Sequence, residues 1–374
     1  VSAPIRAAED PALGARVVEF HALEGVTAGS ALLRIGARLL AVHDDAFRVT
    51  WIDPSRLALK SLVLRGDGVA LPKSRKPDFE AAVCTPDGDV YLFGSGSTSR
   101  RCTFGRIDLD SMTVSLKDRA DVYQCVREAL GLEIRPNIEG AIVRDDRLRL
   151  FHRASGDARS AIVDVPLDVL GGALPRALAV QTFDLGQLDG VPLAFTDAAA
   201  VSDRCAIFTA AAEDAADAIA DGPIKGSVLG ILEEPASARF ARLIGPDGAP
   251  CRHKVEGLAV DDDLRGGWVL TDPDDPDRPT ELGRMELQGF ARAAPRLRAG
   301  DAARVAADVV DVIPDARDGL TREERVVLWV LHQTQKERGG RDVPTAMLWG
   351  RVCEHFYISP EDLSAMLARL GARK

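Results

Sequence analysis

Four acidic residues recur along this chain at almost one interval. Glu80, Glu139, Asp197 and Glu256 are separated by 59, 58 and 59 residues, and each is followed by Ala or Gly. Carboxylates gathered in one place offer two kinds of chemistry. A protonated acid beside an ionised one can hydrolyse a phosphate ester, lactone or glycan by general acid–base catalysis. A ring of oxygen donors also suits Ca²⁺ or Mg²⁺. Like charges around one axis repel unless a cation or hydrogen bonds offset them. The alternative is architectural: each carboxylate accepts backbone N–H bonds from the neighbouring repeat. Recurrence favours that alternative, because catalytic residues are usually unique whereas structural ones repeat.

The elements around the acids share one form. "DFEAAVCTPDGDVYLFGSGS" from Asp78, "NIEGAIVRDDRLRLFHRAS" from Asn137, "FTDAAAVSDRCAIFTAAAED" from Phe195 and "KVEGLAVDDDLRGGWVLTDPDD" from Lys254 each read as two strands around a polar turn. A weaker copy, "GSALLRIGARLLAVHDD", starts at Gly29, which takes the place of the acid. Third strands follow at Thr103, Ser160, Val228 and Glu281, and most copies close on a fourth apolar run. Four antiparallel strands repeated at this length predict a mainly β fold, a β-propeller of five four-stranded blades. The last copy lacks an outer strand, and "RVVEFHAL", Arg16 to Leu23, has no partner, so the N-terminal strand is expected to close the ring. Ser115 to Leu132 shows helical spacing and reads as a helix inserted between blades.

The innermost strands of a propeller line its channel. That places Glu80, Glu139, Asp197 and Glu256 around one axis, as candidate metal ligands. Lys76, Asp78, Arg153, Lys254 and Asp272 join them as candidate ligand-binding residues, with Asn137, His43, Asp44 and Asp214 nearby. No cofactor is required by this pattern. "GSGSTSRR", Gly94 to Arg101, offers amides and arginines to an anion but lacks the helix and lysine of a phosphate loop, so it reads first as a plain loop.

The repeat stops near residue 290. Residues 291–317, rich in Ala, Arg, Asp and Pro, read as a linker, and 318–374 as a three-helix module of adaptor or winged-helix type. Thr321 and Glu324 stand in capping-box spacing, and Ser359 and Pro360 mark the start of the third helix. The module holds nine Lys or Arg against eight Asp or Glu with no basic face, so protein docking fits better than DNA binding. Trp329, Trp349 and Phe356 read first as its core, and with Arg351 they are the candidates for docking a partner.

The net charge of −10 disfavours a nucleic-acid partner, since phosphate binding needs a basic face. No apolar run reaches membrane-spanning length. Six scattered cysteines without a CxxC pair fit reduced thiols in a cytoplasmic protein.

The stretches "KPDFEA" (from Lys76), "GSGS" (from Gly94), "IEGA" (from Ile138), "GVPLAFTDAAAV" (from Gly190), "AEDAADAIADGPIKGSVLG" (from Ala212), "KVEGLAV" (from Lys254) and "TDPDDP" (from Thr271) together resemble a bacterial propeller-like family of unknown function, DUF6929, over residues 15–290. The resemblance implies a propeller and no activity. The strand starts are more distantly similar to those of esterase-like phytases, whose phosphate and calcium motifs are not recognisable here. The order of domains resembles bacterial signalling and defence proteins that carry helical adaptors. The expected function is a binding or scaffold protein: the propeller presents a face to a protein or a small anionic ligand, and the helical module docks a partner. A propeller hydrolase with a carboxylate-rich, Ca²⁺-binding channel is the alternative.

Overall fold

A computed structural model describes residues 3–154, 159–202, 204–214, 222–233, 237–293, 322–338, 341–353 and 358–370. The chain divides into two compact units, Val1–Pro295 and Arg296–Lys374. The first is a five-bladed propeller. Blade one is β3 (Gly29–Ile35), β4 (Arg38–His43), β5 (Arg48–Asp53) and β6 (Ala58–Val63). Blade two is β7 (Phe79–Cys84), β8 (Asp89–Gly94), β9 (Thr103–Asp108) and β10 (Thr113–Asp118). Blade three is β11 (Ile138–Arg144), β12 (Arg147–His152), β13 (Ser160–Pro166) and β14 (Ala179–Asp184). Blade four follows the small hairpin β15 (Gln187–Leu188) and β16 (Val191–Pro192), and comprises β17 (Ala194–Ser202), β18 (Cys205–Glu213), β19 (Ile224–Glu233) and β20 (Ser237–Ile244). Blade five is β21 (Lys254–Val260), β22 (Gly266–Asp272) and β23 (Glu281–Gln288), completed on its outer edge by the N-terminal β2 (Gly14–Ala22). The innermost strands β3, β7, β11, β17 and β21 each touch the next, and β21 returns to β3, so the ring is closed.

Each blade is buried on both faces, which is why the inner strands read as nearly continuous apolar runs rather than as an alternation. Five hydrophobic clusters fill the five seams between blades. Ala31 packs with Phe79 between blades one and two, whereas its neighbour Leu32 packs with Leu270 between blades five and one. Phe195 of blade four meets Phe151 and Phe183 of blade three edge-to-face at 5.2 and 5.5 Å. Each fully buried Leu or Phe contributes about 1.5–3 kcal/mol, so the seams supply most of the stability.

The N-terminal segment does more than close one blade. Strand β2 pairs antiparallel with β23 along its length and parallel with β20 at Ala15 and Arg16. The preceding β1 (Ile5–Glu9) runs parallel to β14 through Ile5 and Arg6, then parallel to β20 through Ala7 to Glu9. One short stretch of chain therefore stitches blades three, four and five together. The helix expected over Ser115 to Leu132 begins later: Thr113–Asp118 completes blade two, and α1 is Ala120–Leu130. Its buried face carries Val122, Tyr123 and Val126, and Gly131 at φ +65° ends it.

The second unit holds α2 (Arg322–Glu337), α3 (Thr345–Val352) and α4 (Pro360–Arg369) around Val327, Val330, Leu348, Val352, Ile358 and Leu363. Glu324 is buried and pairs with Arg369 of α4, and Thr321, its expected capping-box partner, lies outside the described residues. Residues 294–317 of the expected linker lie outside them as well. No helix among the described residues is long and apolar enough to cross a membrane.

Because β2 buries Ala15 and Val17 in the seam between blades four and five, removing residues 1–22 is expected to cost about 5 kcal/mol, or more than about 10 °C in melting temperature. Removing residues 1–11 alone takes away only β1 and should cost less than half of that. Equal melting temperatures for the two truncations would show that β2 does not hold the ring shut.

Candidate functional site

Every innermost strand carries a β-bulge near its start, where one residue leaves the ladder. The bulges fall at Ser30, Glu80, Glu139, Thr196 and Glu256. The sequence interval therefore misaligned two blades by one residue. In blade one the equivalent of Glu80 is Ser30, not Gly29, and in blade four it is Thr196, not Asp197. A bulge re-aims its side chain, and the three glutamates and two hydroxyls it presents do different things. The Ser30 hydroxyl donates to the Phe79 carbonyl of blade two. Thr196 Oγ1 bonds Thr209 Oγ1 at 3.0 Å within its own blade.

Asp197 occupies the next position, filled elsewhere by Ala31, Ala81, Gly140 and Gly257. Space there is short. A Cβ on Gly140 would come within 3.2 Å of the Asp197 backbone, and one on Gly257 within 2.9 Å of the Leu32 Cβ. The Asp197 carboxylate accepts the N–H of Ala198 and, across the seam, that of Leu258 in blade five, both at 2.7 Å. Asp197 is thus the carboxylate that pins blades by backbone bonds. Burial raises its carboxyl above the usual range despite these two donors. It cannot share a metal with the glutamates while its oxygens are committed to amides.

The glutamates open instead onto a polar cluster at one end of the ring. Lys76 Nζ lies 3.0 Å from Asp78 and pairs with Asp44. Arg101 holds the other Asp78 oxygen at 2.9 Å. Arg153 reaches Glu139 at 3.3 Å, Glu256 at 3.6 Å and Glu213. Lys254 sits 3.0 Å from Glu256 and 2.9 Å from Asp274. Asp78 adopts a left-handed backbone at φ +55°, and the hydroxyls of Ser95 and Ser97 bond its carboxylate. The "GSGSTSRR" loop is therefore built around a carboxylate, with the Gly94 carbonyl taking the Tyr123 hydroxyl.

Charge is not balanced here. Eight carboxylates, Asp44, Asp78, Glu80, Glu139, Glu213, Glu256, Asp272 and Asp274, face four cations. Six of them form a circuit around the ring: Glu80 feels Asp78, Asp44 and Glu139; Glu256 feels Asp272 and Glu139; and Asp272 feels Asp44. Burial first, and then these neighbours, push Glu80 and Glu256 well above the usual carboxylate range. Burial raises Asp44 to about 6 and Asp272 to about 7, against the opposing pull of Lys76 and Lys254. Burial also works against the Lys76 and Lys254 ammonium groups, but the surrounding carboxylates outweigh it and keep them charged. His43 and His152 are buried beside the cluster and pulled down by that burial to about 3 and about 4, so both are neutral.

Of the residues singled out in the sequence, Lys76, Asp78, Glu80, Glu139, Arg153, Lys254, Glu256 and Asp272 come together, and Asn137 donates to Glu139. Asp197 stands apart on the amides. Asp214 pairs with Lys225 at 3.0 Å on the surface, and His253 stacks on Phe20. The expected set of four metal ligands is thereby broken, and the close group is Asp44, Asp78 and Glu80, with one carboxylate oxygen from each within 4.8 Å of the others. Glu213 and Arg101 escaped the repeat. The second strand of blade four has nine residues where those of the other blades have six or seven, which moves Glu213 out of phase. In the second unit Trp349 is partly buried with its Nε1 donating to the Ile358 carbonyl at 2.8 Å, so it serves the core. Arg351 bonds Thr334, Trp329 is 54% exposed, and Phe356 lies outside the described residues.

Residues 25–287 match the model of a family described as a family of unknown function (DUF6929). The comparison with curated proteins gives no match. Among solved structures, the chain is similar to the WD40 domain of Neurospora crassa Pan2 at 6% identity and TM-score 0.36, over 75% of this chain and 97% of that one. It is similar to Myxococcus xanthus glutaminyl cyclase at 9% identity and TM-score 0.40, over 76% and 99%. A luciferin-regenerating enzyme matches at 12% identity and TM-score 0.39, over 71% and 94%.

Two outcomes follow from the electrostatics. Asp197→Ala strands two buried amides and is expected to cost about 2–6 kcal/mol; a melting temperature within a degree of the parent would remove the pinning role. Asp272 releases its proton near 3.8 when unfolded and near 7 when folded, so the folded chain binds more protons in that window. Its contribution to stability therefore falls as pH rises through the window. Asp272→Asn, neutral throughout, should match the parent near pH 4 and exceed it by on the order of a few kcal/mol at pH 8. A difference that stays constant with pH in denaturant titrations contradicts this assignment.

Proposed function

The chain belongs to the DUF6929 family, whose function is unknown, and from the site of this member we propose a binding protein whose propeller takes a cationic ligand at its acid-rich end. The observation that carries the reading is the excess of carboxylates at this end of the ring, eight against four cations, six of the eight being buried. A primary amine or guanidinium placed among them offsets repulsion that the protein's own side chains leave standing. An anionic ligand, the sequence expectation, fits less well: Lys76, Arg101, Arg153 and Lys254 are each held by carboxylates and would have to be pulled away. Beside Glu213, which is taken up by Arg153, blade four presents the uncharged Ala194, Thr196 and Ala211, so its side of the ring suits the uncharged part of a ligand. The helical unit serves as the docking module for a protein partner, with exposed Trp329 as its contact.

A second reading, a hydrolase, is favoured by one observation: Asp272, near 7, carries a proton on a large share of chains at neutral pH and lies among carboxylates paired with Arg153 and Lys254. Hydrolysis through that acid would lose its alkaline limb above pH 7 and vanish in Asp272→Asn.

Thermal-shift and calorimetric titration of the full chain with arginine, spermidine and matched dicarboxylates tests the binding reading. The cationic compounds are expected to raise the melting temperature, to weaken with salt, and to bind at least about tenfold less tightly to Glu256→Gln, the loss of one charged contact. Stabilisation by the dicarboxylates alone would overturn it.

A further inference from the structure

We propose that Asp44, Asp78 and Glu80, at the seam of blades one and two, form a divalent-cation site of the Ca²⁺ or Mg²⁺ class, and that Lys76 is an internal cation which the metal displaces. The inference deepens the binding reading above by naming an inorganic cation at one arc of the acidic ring.

The geometry starts from two strand ends. Asp44 follows β4, Asp78 precedes β7, and Glu80 is the β7 bulge. All three are buried, at 5, 3 and 8% exposure, and one oxygen from each lies within 4.8 Å of the others. The second observation is independent of their clustering: Asp44 Oδ1 is sealed from water and has no hydrogen-bond partner. A buried carboxylate oxygen left bare is rare, and it calls for a ligand. The resident counter-charges do not meet this need. Lys76 binds Asp44 through Oδ2 and Asp78 through Oδ1, while Arg101 takes Asp78 Oδ2. Both cations thus converge on Asp78, and Lys76 acts on Glu80 through its charge, with no ion pair to Glu80 among the described residues.

The donor set decides the class of metal. It is made of carboxylate oxygens, with hydroxyls of Ser95 and Ser97 behind Asp78, and it holds no thiolate. The neighbouring His43 is turned to Thr50 at 2.9 Å. Hard oxygen donors select Ca²⁺, Mg²⁺ or Mn²⁺ over zinc or copper. Asp78 is already fixed in its left-handed conformation by the serines and Arg101. Lys76 is the movable part: it lies in the loop ahead of β7 with its side chain 16% exposed, so its ammonium can withdraw to water when a metal enters.

Calorimetry on the full chain with Ca²⁺ and Mn²⁺, and separately with spermidine, tests the site. One metal ion per chain is expected in the parent, bound at least tenfold more tightly by Lys76→Met and lost in Asp44→Asn and Glu80→Gln. The Lys76→Met arm stands even where a carboxylate variant fails to fold, because it predicts a gain. Metal affinity unchanged in both carboxylate variants, or weakened in Lys76→Met, would overturn the site. Spermidine binding without any Ca²⁺ or Mn²⁺ binding would overturn the metal site alone and leave the broader cation reading intact; failure of all three would overturn both.

Discussion

The approach of five strands to a common axis governs what the rest of this ring can hold. Where the innermost strands come nearest, the residue after each bulge must be small, and Ala31, Ala81, Gly140 and Gly257 meet that limit. The fifth position is Asp197, and its side chain fits because it takes the volume its neighbours vacate and bonds their amides. Close approach and amide pinning are thus one device. Glycine in blades three and five brings the backbones near enough for one carboxylate in blade four to reach blade five.

That device frees the glutamates. A carboxylate committed to backbone N–H groups has no further chemistry to offer, and the ring needs only one of these. Glu80, Glu139 and Glu256 sit one residue earlier, on bulges that turn them toward the polar cluster, where lysine and arginine are their partners. The excess charge there is costly, since burial alone raises Glu80, Glu256, Asp44 and Asp272. Five apolar seams and the N-terminal staple offset that cost. Local instability at a site supported by a rigid frame is the usual arrangement of a binding centre.

Much of this was legible in the sequence. The 59-residue interval gave the blades, and the unpaired "RVVEFHAL" gave the closing strand, because both follow from strand length and edge pairing. The one-residue slips at Ser30 and Thr196 were not legible. An acid followed by small residues looks the same whether it stands on the bulge or just after it, and only the ladder tells them apart. Strand β1 was equally hidden: its five residues alternate weakly in burial and pair with two blades far along the chain. Glu213 was lost because the repeat was measured on short strands and blade four is longer.

The distribution of charge around the ring carries the last step. Blades one, two, three and five each bring at least one acid to the cluster from the bulge or from the end of the second strand. Blade four has Thr196 on its bulge and Ala211 near the end of its second strand, both buried and uncharged. Its acid in the cluster, Glu213, ends that strand and is spent on Arg153. A purely structural ring would place the same bond at every seam, whereas here Asp197 bonds amides and the glutamates of other blades face lysine and arginine. A recognition site can differ from blade to blade, because a ligand has an uncharged side as well as a charged one. The broken symmetry therefore argues for binding more strongly than the number of acids does, and it assigns the uncharged side of the ligand to blade four.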